Sequence, residues 1–116
     1  MSALLGPYTP VVRAGDWLIC SGQLGVLDGE LVVGGVGPQV TQALANVAGL
    51  LADHGATLAD VVKTLVFLTD IGDYATMNDA YVAAFGDHRP ARSAVAVLAL
   101  PRGADVEIEC WAHRLA

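Results

Sequence analysis

Three features of this 116-residue chain predict an α+β fold in the order βββαβαββ, a mixed sheet with two helices on one of its faces. Two separate stretches, one following Pro38 and one following Asp73, repeat apolar residues at helical spacing. The segments around them either alternate apolar and polar residues at the two-residue period of a strand or run almost continuously apolar. The N-terminal third holds strand and turn signals alone, a meander, and helices separated by strands favour one α+β layer with right-handed β-α-β crossovers.

Residues 9–21 read as two short strands about the Ala14-Gly15-Asp16 turn, the second being 17–21. Residues 26–33 add a segment with a tight turn at Asp28-Gly29, where a two-residue hairpin loop demands positive φ angles. Gly34, Gly35 and Gly37 end the strand region, and Pro38 suits a first helical turn, where a missing N–H costs nothing. Val40, Ala43, Leu44, Val47, Leu50 and Leu51 then form one stripe, stopped at Gly55. Residues 60–69 carry Val61, Val62, Leu65, Val66, Phe67 and Leu68, a run expected of a central strand covered on both faces. Asp73 is placed to cap a second helix, whose core stripe is Tyr74, Met77, Tyr81, Ala84 and Phe85, and Gly86 ends it.

The last two strands are expected at 91–98 and 105–113, connected through Leu100, Pro101, Arg102 and Gly103. In the final strand Val106, Ile108, Cys110 and Ala112 share one face, and Glu107, Glu109, Trp111 and His113 share the other. In the strand before it, Ser93, Val95 and Val97 are assigned to the helix side, which sends Arg92, Ala94 and Ala96 the opposite way. Arg92 and Glu107 are thus expected to project together from a bare sheet face lined by small residues, and further copies of the chain would cover it.

Composition narrows the function. The chain is 54% hydrophobic and 16% charged, more apolar than a single domain of this size needs, which points to subunit contacts. Asn46, Lys63, Thr64, Arg92 and Ser93 interrupt the most apolar stretches before any reaches the ~18 to 20 residues of a membrane span. The N-terminus lacks the basic and apolar regions of a secretory signal, so a cytoplasmic location is expected. With a net charge of -6 and its cations scattered at Arg13, Lys63, Arg89, Arg92, Arg102 and Arg114, the chain is not built to neutralise phosphates, and no nucleic-acid partner is expected. Cys20 and Cys110 lie inside apolar strands and read as packing thiols in a reducing compartment.

The chemistry-bearing residues are few. His54, His88 and His113 are dispersed, no H-E-x-x-H or C-x-x-C motif occurs, and no metal is expected. No nucleophile elbow surrounds Ser21 or Ser93. The glycines of 34–37 match neither a Walker loop nor a dinucleotide fingerprint, and serve helix entry. Glu107 and Glu109 share a strand face, where burial and like charge raise a carboxyl pKa toward the range useful in proton transfer; a solvated strand edge is the alternative. Arg92 among small residues fits an anion site, since a guanidinium fork suits a carboxylate; an ion pair with Glu107, Glu109 or an aspartate fits as well.

Taken together, these residues give the chain a resemblance to the RidA/YjgF family of reactive-intermediate deaminases over nearly its whole length. The matching stretches are Gly6-Pro7-Tyr8, Ser21-Gly22-Gln23, the run DVVKTLVFLTD at 60–70, Met77-Asn78 with Tyr81, Pro90-Ala91-Arg92-Ser93, Leu100-Pro101 and the run VEIE at 106–109. Each piece alone is weak, and their order and spacing are specific. The resemblance implies a single domain over 1–116 with a chorismate-mutase-like fold, assembled as a homotrimer with ligand clefts between neighbouring chains. It further implies that the last strand inserts between the third and fourth, so that the final two are not a hairpin.

By the same likeness the protein hydrolyses enamines and imines such as 2-aminoacrylate, released by pyridoxal-phosphate enzymes, to 2-oxo acids and ammonia, with no cofactor. The family's carboxylate-binding arginine falls on Arg92 and its water-associated glutamate on Glu107. Tyr8, Ser21, Gly22 and Asn78 fall on cleft positions, with Ser93 and Ala94 beside the arginine. Many relatives carry a cysteine where this chain has Ala94, so a thiol-dependent mechanism does not apply, although a backbone contact there survives. The segment 86–90 is shorter than in some relatives and makes Arg89 an additional cation beside the cleft. The partners expected are a small imine or 2-oxo acid and further copies of the chain. The rival readings are a non-catalytic trimer that binds small carboxylates as a sensor or scaffold, an RNA-cleaving or translation-inhibiting protein, against which the acidic balance argues, and a holdase.

Overall fold

The alternating N-terminal residues form the edge of a five-stranded sheet in the computed structural model, which describes residues 6–116. β1 (Val11–Ala14) pairs antiparallel with β2 (Trp17–Leu24), Ala14 opposite Trp17. β3 (Val26–Leu27) and β4 (Glu30–Leu31) form the expected hairpin, with positive φ at Asp28 and Gly29. Helix α1 (Val36–Ala52) leads to β5 (Val61–Leu68), helix α2 (Tyr74–Phe85), β6 (Ala91–Ala96) and β7 (Val106–His113). The strand order of the main sheet is β1-β2-β7-β5-β6, with β5 and β6 parallel and the other pairs antiparallel. This is the predicted α+β class. The reading of the N-terminus as lacking a signal rests chiefly on residues 1–5, which lie outside the described residues.

The core lies between one sheet face and the two helices. α1 buries Val36, Gln39, Val40, Ala43, Leu44, Val47 and Leu51, and α2 buries Met77, Tyr81 and Phe85. They meet Leu18, Cys20, Val61, Val66, Leu68, Val106, Ile108, Cys110 and Ala112 from the sheet. Cys20 and Cys110 stand directly opposite one another across β2 and β7, free and buried, as packing thiols. Two polar groups are admitted because each is satisfied. Thr64 shares a 2.7 Å hydrogen bond with the Tyr81 hydroxyl, and Gln39 clamps Asp105, donating to its carboxylate at 2.9 Å and accepting from its backbone N–H at 2.8 Å.

Several expectations are corrected. The segment 26–33 is not a third strand of the sheet but a separate two-stranded hairpin. Asn46 of α1 donates to the carbonyls of Leu24 and Val26 at 3.1 and 3.0 Å, so acceptors that would continue the ladder are spent on the helix. The last strand does take an interior place, and β6 and β7 are not a hairpin; it lies beside β5, the fourth expected strand, but its other neighbour is β2, the second, rather than the third. Asp73 precedes α2 without a capping bond; the side-chain contact at this turn is Asp70 accepting from the Gly72 N–H at 2.8 Å. Tyr74 is 41% exposed and is not core. β6 stops at Ala96, two residues short of its expected end.

The largest correction concerns the face of β6. The parallel register sets Arg92 beside Thr64, Ala94 beside Val66 and Ala96 beside Leu68. Thr64, Val66 and Leu68 are buried under the helices, so Arg92, Ala94 and Ala96 lie on the helix side, and Ala94 packs against the core. Ser93 and Val95 therefore occupy the uncovered face, where Lys63 donates to Ser93 at 3.0 Å. That face is not lined by small residues. Registers place Val12, Ile19, Trp111, Leu65, Phe67 and Val95 on it, with Val12 48%, Trp111 44% and Val95 44% exposed. Within the chain β5 is therefore covered on one face, not both.

Candidate active site

Two clusters of polar side chains remain once the core is accounted for, one on each side of the sheet. The first is built on an irregularity. Between Cys20 and Gln23, β2 carries two residues, Ser21 and Gly22, where β7 has only Glu109 between Cys110 and Ile108. Such a bulge bends the strand and re-aims its groups, a device concentrated beside binding sites. Here it lays the Cα of Gly22 against the Glu107 carboxyl. A Cβ at residue 22 would stand 2.7 Å from Glu107 Cδ, so any side chain there displaces the glutamate.

Glu107 is half-buried, and its pKa is raised, first by burial and then by the Glu109 charge on the same strand face. The Ser21 hydroxyl donates to the Thr9 carbonyl at 2.7 Å and the Ser21 N–H to the Pro10 carbonyl at 2.9 Å, which ties the segment carrying Tyr8 to the bulge. Tyr8, Ser21, Gly22 and Glu107 share the wall of a groove of about 930 Å³, which runs on past Leu24 and Val26 to Asn46, Gly49 and Leu50 of α1 and to Pro101 and Arg102.

The second cluster surrounds Arg92 under α2. Its guanidinium carbon lies 4.8 Å from the Tyr81 ring centre and 5.4 Å from that of Tyr74. Nη1 points at the Met77 sulfur, 3.7 Å away, and Nη2 donates to the Tyr74 hydroxyl at 2.9 Å. Among the described residues the single ion pair joins Arg114 to Asp60 at 3.6 Å. Arg13, Arg89 and Arg102 donate to backbone carbonyls. Of the five arginines, then, Arg92 alone meets neither a carbonyl nor a carboxylate among the described residues. Asn78, also on α2, is half-buried, and its Oδ1 has no hydrogen-bond partner among the described residues.

The residues expected to form one site are thus divided. Tyr8, Ser21, Gly22 and Glu107 gather about the groove; Arg92 and Asn78 belong with α2, Ala94 follows Arg92 under the helices, and Ser93 faces the other way. Arg92 and Glu107 do not project from a common face as expected. Thr64 is the register partner of both Arg92 and Cys110, and Glu107 lies three residues beyond Cys110. Two strand steps of about 4.8 Å and three residues of about 3.3 Å put their Cα atoms about 14 Å apart, with side chains on opposite faces. Arg89, expected beside the cleft, spends Nη1 on the Gly86 and His88 carbonyls of its own turn.

Sequence reasoning missed Tyr74 and the groove wall formed by α1, Pro101 and Arg102. Tyr74 was absorbed into the apolar stripe of α2, yet it is the first residue of that helix, where a stripe has run past the core it covers. Among the described residues no three His, Cys, Asp or Glu side chains converge as metal ligands would, and no helix is long and apolar enough to cross a membrane.

The chain is similar to known proteins over most of its length. Residues 1–114 match the family model described as Endoribonuclease L-PSP. The chain is 44% identical over 112 residues to the 2-iminobutanoate/2-iminopropanoate deaminase of Bos taurus, covering 95% of this chain and 82% of that protein. It is 40% identical over 110 residues to the mitochondrial protein mmf1 of Schizosaccharomyces pombe, covering 92% and 68%. The crystal structure of the YjgF gene product from E. coli superposes with a TM-score of 0.91 at 41% identity, covering 97% of this chain and 91% of that one.

Proposed function

This chain belongs to the Endoribonuclease L-PSP family, which is the YjgF/RidA family, and on that premise we propose that it hydrolyses small enamine and imine intermediates such as 2-aminoacrylate to 2-oxo acids and ammonia. Imine deamination as a general activity is supported by relatives bearing that name, among them one 44% identical. The observation that carries the finer reading is the unneutralised Arg92. A half-buried guanidinium held between two tyrosine rings, with no anion of its own, is arranged to take a carboxylate from a ligand.

In this reading Arg92 holds the substrate carboxylate and the enamine tautomerises to the imine. A water positioned by Glu107 adds to the imine carbon, giving up a proton to the carboxylate. Glu107 returns this proton to the nitrogen to complete a carbinolamine, and as the C–N bond breaks the carbinolamine hydroxyl proton passes to the departing nitrogen, so that ammonia leaves and the carbonyl forms. Tyr8, Ser21, Gly22 and Asn78 shape the cleft, with the backbone at Ser93 and Ala94 beside the anchor. Ammonia release from enzymatically generated 2-aminoacrylate, above the spontaneous rate, tests the function directly. An unchanged rate would leave the non-catalytic carboxylate binder.

The family description names an endoribonuclease, but a net charge of -6 with the cations scattered supports a small-molecule ligand over RNA. Free, buried Cys20 and Cys110 suit a reducing compartment, and the cytoplasm is the location proposed.

The separation of Arg92 from Glu107 gives oligomerisation a chemical role. No single water spans about 14 Å across a sheet, so the reading requires Arg92 of one chain to meet Glu107 of its neighbour. The uncovered face, with Trp111, Phe67, Leu65 and Val95 exposed or half-buried, is the surface proposed to bring the chains together as a homotrimer. Light scattering is expected to return three times the 12.0 kDa chain mass. A monomer at micromolar concentration would defeat both the assembly and the shared cleft.

Glu107 must be ionised to accept a proton, and its pKa is raised, so activity is lost on acidification at a pH above the ordinary glutamate range. The linked effect on stability has the opposite sign: a carboxyl with a raised folded pKa opposes folding when ionised, and its contribution improves as the pH falls through that value. Glu109→Gln removes the second cause of the shift and is expected to move the acid limb of the rate profile to lower pH. An unmoved limb would show that the limb does not report Glu107.

A further inference from the structure

We propose that the Tyr74 hydroxyl is a substrate-binding donor working beside Arg92, so that a guanidinium and a phenol seat the same carboxylate. This rests on the reading of Arg92 as carboxylate anchor and adds a second residue to it. Arg92 Nη2 lies 2.9 Å from the Tyr74 oxygen, and because a guanidinium has donors only, the phenol accepts in this contact. The O–H hydrogen of Tyr74 is therefore unspent there, and no other hydrogen bond engages it among the described residues.

Tyr81, on the other flank of the guanidinium, differs. Its hydroxyl is committed to Thr64 at 2.7 Å inside the core, and it is 4% exposed, so it supplies Arg92 only with a ring face. Tyr74 is 41% exposed and supplies both a ring face and an uncommitted donor. The contact of Arg92 with Met77 is part-buried and that with Tyr74 is exposed, so the guanidinium is approached from the side where Tyr74 stands. An incoming carboxylate meets a free Nη2 hydrogen and the phenolic O–H side by side, and its two oxygens have lone pairs for both. The accepted bond from Nη2 also fixes the guanidinium before the ligand arrives, which reduces the ordering cost of binding. The ligand class is a small 2-imino or 2-oxo acid presenting a planar carboxylate.

Calorimetric titration of the intact protein with 2-oxobutanoate, and with the uncharged 2-oxobutanamide, tests this. Tyr74→Phe keeps the ring over Arg92 and removes only the hydroxyl; it is expected to weaken 2-oxobutanoate roughly tenfold and the amide much less, with KM for 2-iminobutanoate rising more than kcat falls. Arg92→Ala should remove 2-oxobutanoate binding altogether. Undiminished affinity of a normally folded Tyr74→Phe for 2-oxobutanoate would overturn the proposal, as would equal weakening toward the acid and the amide. If instead the wild type does not bind 2-oxobutanoate, or Arg92→Ala binds it as well as the wild type, the carboxylate-anchor reading itself fails.

Discussion

Replacing Arg92 by alanine is expected to abolish deamination while leaving the fold and the assembly intact. The loss of a charge-assisted carboxylate contact removes roughly 1.5 to 3 kcal/mol of binding. The loss of orientation at the imine carbon adds to this, so kcat/KM should fall by about two orders of magnitude or more. The cost to stability is small by comparison, because the side chain is half-buried between tyrosine rings and forms no ion pair among the described residues. Arg92→Lys should recover little, since an ammonium keeps the charge but cannot address the Tyr74 hydroxyl and a ligand carboxylate through one planar fork. Steady-state assays beside circular dichroism and light scattering provide the check. Turnover at the wild-type rate in either variant would end the assignment of Arg92.

The second large effect is a recovery. Glu107→Ala, like Arg92→Ala, should be inactive, because the Glu107 carboxyl is the one that Gly22 lies against, 2.7 Å from where a Cβ would stand. If each cleft pairs Arg92 of one chain with Glu107 of the next, dissociating and reassembling the two inactive proteins together must create some clefts with both wild-type residues. In a randomly mixed cyclic trimer about one cleft in four receives both. A cleft complete within one chain would yield none. Activity near a quarter of the wild-type value in verified mixed trimers is the expected result, and mixed trimers that stay inactive would overturn the shared cleft. The geometry within one chain makes this a demanding test: Arg92 lies on the helix side of β6, and Glu107 on the far face of β7, with β5 between them.

Much of the fold was legible in the sequence, for reasons that are local. The α1 stripe, the turn at Asp28-Gly29, the run of β5 and the alternation of β7 follow from periods and backbone preferences carried by adjacent residues. The candidate site residues were named through motif order, and the face that Glu107 occupies followed from the parity of its strand. The face of Arg92 was not. Ala-Arg-Ser-Ala-Val-Ala alternates small residues on both sides, so neither face has the larger apolar content to select the core. Valine at 95 and 97 suggested one face; the parallel register with the buried Thr64, Val66 and Leu68 of β5 settles the other, with Ala94 packed against the core.

By itself the sequence determined the two helices, the strand-forming segments, the hairpin and the family, since each depends on interactions between near neighbours or on residues recognisable in order. Only the tertiary structure decided which strands are neighbours and which way β6 faces. Pairing between β7 and β2, and the register that puts Arg92 beside Thr64, join residues that lie far apart along the chain. A strand's own pattern offers two faces and does not choose between them; the choice is made by the neighbour it pairs with and the helix packed over it. In this protein that choice places Arg92 against Tyr74 and Tyr81 and away from Glu107.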